Sequence, residues 1–244
     1  MSRFKAFGIH LGISFVIFII LAYLVVVEWY PGLLFDTDGG WRGMRIIIGV
    51  DLVLGPLLTL VAYKAGKPGL KFDLTCIALL QTTCLIAGTW VVWQERPLAI
   101  VYVDSRFEVT TQDAYNEAGT SPKLDRFSHL KKPLWLKIEL PEDLDELVEV
   151  RQRSFASGGG SATLSDLYAS FDSKDPKFLS EARDVNVIIN RDGGQSGLDQ
   201  WLSRHGGTIE DYAFYTFSTR YVYRYIGFRR STGENLGFLD VQPR

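Results

Sequence analysis

The chain has 244 residues, 47% hydrophobic and 22% charged, with a formal net charge of −2. No strongly basic domain is present, which argues against nucleic-acid binding by charge. Two cysteines are too few for a disulfide scaffold. Seven basic and five acidic residues precede residue 95, while nineteen and twenty-three lie from residue 95 onward. That division reads as a membrane module over 1–94 and a water-soluble domain over 95–244.

In chain order, residues 6–27 (AFGIHLGISFVIFIILAYLVVV) hold no formal charge, and about 20 apolar helical residues cross a bilayer core of about 30 Å. Residues 46–63 and 74–93 form second and third spans, the second interrupted only by Asp51. The first stretch exceeds the roughly 7–15 apolar residues of a cleaved signal peptide, and no small-residue cleavage pattern follows Val27. It is therefore expected to stay as an anchor in the lipid bilayer.

Arg3 and Lys5 precede the first span, and Lys64, Lys67 and Lys71 separate the second from the third. The excess of basic residues there predicts a cytoplasmic N-terminus. The C-terminal domain is then periplasmic, on a bacterial inner membrane. Trp29, Tyr30, Trp41, Trp90 and Trp93 fall at the outer boundary, where an aromatic belt belongs. Cys76 and Cys84 share the third span about 12 Å apart along its axis, too far for a bridge within one helix.

The domain opens with a hairpin, PLAIVYV and RFEVTT about a turn at Asp104-Ser105. Leu134–Leu140 is strand-like. A helix is expected from Pro141, with Leu144, Leu147, Val148 and Phe155 on one stripe. Ser157–Ser161 reads as a flexible loop. Short helices follow over 163–171 and 176–183, then a strand over Val185–Ile189. A helix capped by Ser196 runs through Arg204 to a stop at Gly206. Tyr212–Ser218, Arg220–Arg230 and Leu236–Val241 alternate as strands. The fold class is three transmembrane helices followed by an α+β extracytoplasmic domain with β-hairpins at both ends.

Asp51 is the most informative residue, because an ionisable group inside a span is costly and is usually functional or paired. By depth it reaches Thr89 or Thr83 for a hydrogen bond, while His10 lies too far inward. The alternatives are contact with another membrane helix or a proton relay. Gly55-Pro56 interrupts the helical ladder and permits close helix approach. Asp38-Gly39-Gly40-Trp41 forms a tight interfacial turn, with Trp41 at the headgroups. Asp36-Thr37-Asp38 has the form of a metal-binding acid pair but faces a compartment without nucleotide sugars. Gly158-Gly159-Gly160 lacks the lysine of a phosphate loop, and Arg191–Gly197 reads as a turn. His129 and His205 stand far apart with no nucleophile motif. No cofactor, metal site or catalytic residue is expected. The aromatic stripe Tyr212–Phe228 reads as sheet core, with an edge open to another strand.

Tyr30-Pro31-Gly32, Asp38–Trp41, Gly49–Leu60, Lys67–Leu74, Gly88-Thr89-Trp90 and Arg96-Pro97 together resemble the TfpX/TfpZ family of type IV pilin accessory proteins. The likeness is dense over 28–107 and thinner beyond, where the Tyr-rich C-terminal hairpin with Thr232-Gly233-Glu234 still fits. It implies a non-enzymatic inner-membrane protein whose partners are a major type IV pilin and inner-membrane pilus assembly proteins. Asp51, Gly55, Pro56 and Thr89 are the residues expected to contact a partner helix or to hold the membrane module. The alternative is a membrane-anchored periplasmic enzyme or a sensor subunit.

Overall fold

A computed structural model describes residues 2–156, 158 and 160–243. The chain divides into two compact units, Met1–Arg96 and Pro97–Arg244.

The first unit contains three helices long and apolar enough to cross a membrane, Arg3–Trp29, Gly40–Ala62 and Leu70–Gln94. Ser2 caps α1 (Arg3–Tyr23), its side chain accepting from the Lys5 amide, and a π-helical segment continues to Trp29. After the short α2 (Leu34–Thr37), the second long helix comprises α3 (Gly40–Ile47), π-helical turns over Ile48–Leu54 and α4 (Gly55–Ala62). Pro56 lies in the first turn of α4. Proline has no amide hydrogen to donate backward, and a wider helical turn before it accommodates the gap. The third long helix, α5 (Leu70–Gln94), starts after Gly69, which takes the left-handed conformation. The first and third helices extend past the expected 6–27 and 74–93 at both ends, while the second starts six residues before the expected 46–63 and ends at Ala62.

The second unit is a seven-stranded mixed sheet in the order β4-β3-β1-β2-β5-β6-β7. β1 (Pro97–Val103) turns at Asp104-Ser105 into antiparallel β2 (Arg106–Thr111). Both turn residues have positive φ, 50° and 58°, as the tightest hairpin turns require. After α6 (Gln112–Glu117), β3 (Trp135–Ile138) runs parallel to β1. Then come α7 (Leu144–Ala156), β4 (Tyr168–Ser170), α8 (Pro176–Ser180), α9 (Val185–Ile189) and α10 (Gly194–His205). β5 (Tyr212–Ser218) pairs parallel to β2, and β6 (Tyr223–Arg229) and β7 (Asn235–Leu239) extend the sheet antiparallel.

Two apolar clusters pack on the sheet. Val101, Leu136 and Tyr168 gather with Tyr115 of α6 and Val150 of α7, while Tyr212, Phe214 and Tyr225 gather with Ile188 of α9 and Trp201 of α10. Tyr115 and Tyr168 also share a buried hydroxyl contact. A third, aromatic group joins Tyr102, Phe107, Tyr215 and Phe228 to Phe178 of α8. Burial raises the Tyr102 and Tyr215 phenols above their usual range.

Several local expectations are corrected. Val185–Ile189 is a helix, not a strand. The Asp184 carboxylate accepts from the Asn186 amide at 2.9 Å, and this cap outweighs the β preference of four branched residues. Residues 163–171 are not one helix but two 3₁₀ turns and β4, which pairs Tyr168 with Ile138. The helix expected from Pro141 begins at Leu144, because Asp143 accepts from the Asp145 and Glu146 amides at 3.0 and 3.1 Å. Its apolar stripe does not face the core: Leu144 is 74% exposed, Val148 54% and Phe155 91%. The cap of α10 is Gly193 rather than Ser196, whose hydroxyl donates back to the Gly193 carbonyl. The strand expected over Arg220–Arg230 starts only at Tyr223, since Thr219 turns the chain by accepting from the Tyr221 and Val222 amides. Ser157 and Gly159 of the expected loop lie outside the described residues.

Candidate functional site

A buried polar junction connects the three long helices. Asp51, in the π-helical turns of the second, is 1% exposed. Its Oδ1 accepts from Ser14 Oγ of α1 at 3.1 Å and from Gln81 Nε2 of α5 at 2.6 Å. Gln81 Nε2 also lies 3.3 Å from Ser14 Oγ and 3.4 Å from the Asp51 carbonyl. Asp51 Oδ2 and Gln81 Oε1 are buried without a hydrogen-bond partner among the described residues. One turn before Ser14, His10 Nδ1 meets Thr59 Oγ1 of α4 at 2.5 Å. In a bilayer, which offers no water, such contacts would fix one helix against another.

The sequence singled out Asp51 but assigned it to Thr83 or Thr89. The structure assigns it to Ser14 and Gln81. The π-helical turns change the phase of the second helix, and Gln81 lies two turns before Thr89 along α5. The signal for Gln81 was present all the same: it is the one amide inside the third apolar stretch. Gly55 and Pro56 are buried. A Cβ at Gly55 would lie 2.0 Å from Gln81 Oε1, so the glycine makes the room that the Gln81 amide occupies. These residues face the inside of the bundle.

Thr89 lies elsewhere, in a wholly apolar groove of about 410 Å³ bordered by Ile17, Leu21, Ile86 and Trp93. The Asp38–Trp41 turn is built as a tight corner. Gly39 takes φ 95° and caps α3. A Cβ at Gly40 would lie 2.7 Å from the Phe35 ring and 2.9 Å from its Cα. Asp38 is buried, while Trp41 is half exposed, meets Phe35 edge-on at 6.0 Å and lies under the Arg45 guanidinium at 5.5 Å.

In the second unit, a cleft of about 540 Å³ opens at the carboxyl ends of the parallel pair β1 and β3. Tyr102, Phe171 and Phe178 form its aromatic floor, with centroids 4.8–5.9 Å apart. Six carboxylates and three cations line it, a net charge of −3. Tyr102 donates its hydroxyl to Glu181 at 2.6 Å. Lys137 bridges Asp175 at 3.2 Å and Glu139 at 3.5 Å. Partial burial pulls the Lys137 ammonium down, but the Asp175 bond and both carboxylates outweigh it and leave the group raised. The Lys177 amide, then Lys137, hold Asp175 below the usual carboxylate range. Sequence reasoning missed this cleft, because its walls come from four separate stretches.

His129 is exposed, and His205 stacks on Trp201 at 4.3 Å. Burial, then Arg204 and Arg229, push His205 below its usual value. Among the described residues, no three His, Cys, Asp or Glu side chains gather closely enough to hold a metal. Cys76 and Cys84 are both free.

Fold and junction together define a class: a bundle of three apolar helices, joined by internal polar contacts, followed by an α+β domain. The comparisons with known proteins narrow it. The family description "Fimbrial assembly protein FimB" matches residues 1–32. A fimbrial assembly protein of serogroups C1 and C2 from Dichelobacter nodosus is 32% identical over 101 residues, 40% of this chain and 76% of that relative. Those of serogroup E1 and serogroup I from the same organism are 34% and 31% identical over 40% and 44% of this chain. The chain belongs to this family of fimbrial assembly proteins. It spans about two fifths of the length of the E1 and I relatives, 39% and 43%. No solved structure matches it.

Proposed function

We propose that the protein is a non-enzymatic accessory factor for type IV fimbriae, of the TfpX/TfpZ kind. In this reading it sits in a bacterial inner membrane with its N-terminus cytoplasmic and its C-terminal domain periplasmic. It binds or stabilises a cognate pilin there before assembly, alongside the inner-membrane assembly proteins. The observation that carries the reading is the family match over residues 1–32. That segment contains α1, whose Ser14 and His10 reach both other long helices. The matched segment thus contributes two of the polar side chains that join the bundle.

A pilin awaiting assembly is a membrane-resident client, and an apolar groove lined by helix side chains offers such a client a lipid-like contact. Asp51, Gly55 and Pro56 would serve this role indirectly, by keeping the bundle in one arrangement. The test is photocrosslinking in intact membranes from a reactive residue at Ile86, which is 65% exposed beside the groove. The expected product is an adduct with the pilin. Adducts only with assembly-machine subunits would recast the protein as a machine component.

A further inference from the structure

We propose that the cleft end of the C-terminal unit is a docking surface for a protein segment that presents a lysine or arginine beside apolar residues. The exposed stripe of α7 takes the apolar part and the adjacent cleft takes the cation. The identity of that segment's owner, the pilin head, rests on the function proposed above.

The first observation is the orientation of α7. Its inner side is occupied by Val150, packed into the core, and by Ser154, bonded to Ser161 at 2.9 Å. Its opposite side carries Leu144, Val148 and Phe155, all exposed. A single exposed apolar side chain is ordinary. Three aligned on one helix make a patch of the kind that marks interaction sites. Leu147 and Phe155 border a shallow, nearly wholly apolar groove along this face.

Continuity is the second observation. Arg151 lines both that groove and the cleft. Its guanidinium is clamped by Asp104 in two parallel bonds, at 2.7 and 2.9 Å, and this pairing raises it above its usual range. The clamp fixes α7 to the β1–β2 turn, so the apolar stripe and the cleft form one surface. That turn ends β1 seven residues after Pro97, about 23 Å along an extended strand.

Charge then selects the occupant. The cleft combines a net charge of −3 with three aromatic rings. A lysine or arginine satisfies both features, its head among the carboxylates and its stem on the rings. An anionic lipid surface is repelled by the same charge. A second copy of this chain would set one −3 cleft against another, and α7 itself adds Asp145, Glu146 and Glu149 around its stripe. A purely apolar segment would strip water from the carboxylates with no replacement.

The experiment uses the full chain in native membranes with the pilin co-produced. A photoreactive residue replaces Val148, and a second version carries it at Ile86 as a reference in the membrane helices. Each is combined with the charge reversals Glu142→Lys and Asp172→Lys, both at exposed cleft positions, and with the milder pair Glu142→Gln and Asp172→Asn. Limited proteolysis checks that every variant is folded. We expect a pilin adduct at Val148 that falls at least fivefold on reversal, falls less with the neutral pair, and leaves the Ile86 adduct unchanged. A Val148 adduct that falls less than fivefold overturns the charge argument. An Ile86 adduct with none at Val148 overturns this surface and leaves the pilin reading standing. Adducts at neither position overturn both, and a Val148 adduct only with lipid or with a second copy overturns the proposal.

Discussion

The two units place the same residue types in opposite positions. In the first, Ile9, Ile13, Val16, Ile20 and Leu79 face outward, and the buried set includes Ser14, Asp51 and Thr59. In the second, Ile100, Phe107, Phe214 and Ile226 are fully buried, and the charged residues lie mostly at the surface. Water drives apolar surface inward and makes area the main source of stability. A bilayer would reward no such burial, and there close backbone approach and hydrogen bonds would decide which helices meet. The first unit sets buried polar contacts beside an apolar cluster that includes Val25, Met44, Ile47 and Val92, while the second is held mainly by apolar clusters.

The largest expected effect breaks the apolar side of this contrast. Trp201 is 0% exposed and packs edge-on against Tyr212 and Phe214, at 6.0 and 5.5 Å. Trp201→Ala leaves a large void and is expected to destabilise the C-terminal unit by about 3–5 kcal/mol. Pulse proteolysis of the full chain in detergent micelles, across a urea series, measures this. Cleavage should move to lower urea in the second unit alone. A loss below about 1 kcal/mol would mean that this core is not what holds the unit.

The contrast also explains what was legible from the sequence. Long uncharged stretches announced three membrane-type helices because hydropathy is additive along the chain. Asp51 stood out because it violates that pattern. Its partners did not, because serine and glutamine in an apolar stretch carry no charge, and the phase that brings Ser14 and Gln81 to Asp51 depends on π-helical turns. In the second unit, the aromatic alternation of 212–218 and 220–230 marked two strands, the second of which is shorter, Tyr223–Arg229. The stripe on α7 was visible, but its direction was not: periodicity shows that a helix has an apolar face, not which side meets the core. The α9 segment misled because four β-branched residues outweighed a single capping aspartate in the reading, while in the fold the cap prevails.

A middle-sized effect sharpens the polar side. Gly55→Leu drives a side chain into the space of the Gln81 amide, and overpacking of this kind costs about 1–3 kcal/mol. Asp51→Asn keeps an oxygen that can accept from Ser14 and Gln81, so it should cost under about 1 kcal/mol, the scale of hydrogen bonds between membrane helices. Unfolding in mixed micelles of rising denaturing-detergent fraction ranks the two. If the bundle is fixed by fit, Gly55→Leu is the worse substitution, and the pilin adduct at Ile86 falls in the same order. The reverse order would show that the carboxylate charge itself organises the helices.

The smallest effect carries the comparison to charge. Asp51 is 1% exposed, whereas Asp175 is partly open to solvent, caps α8 through the Lys177 amide at 2.9 Å and pairs with Lys137. Those contacts hold its carboxyl below the usual range, the amide contributing most. A depressed folded value means the unfolded chain binds the proton more readily. The contribution is therefore complete above the unfolded value, about 3.9, and is lost as pH falls through the lower folded one. Asp175→Asn retains a side-chain oxygen for the cap and removes only the charge, so it should cost a few tenths to about 1 kcal/mol, as solvent-facing pairs do. The Tm difference between this variant and the native chain should stay constant from pH 5 to 8 and shrink below about pH 4. A difference that persists in acid would assign the role of Asp175 to its shape in the cap rather than to its charge.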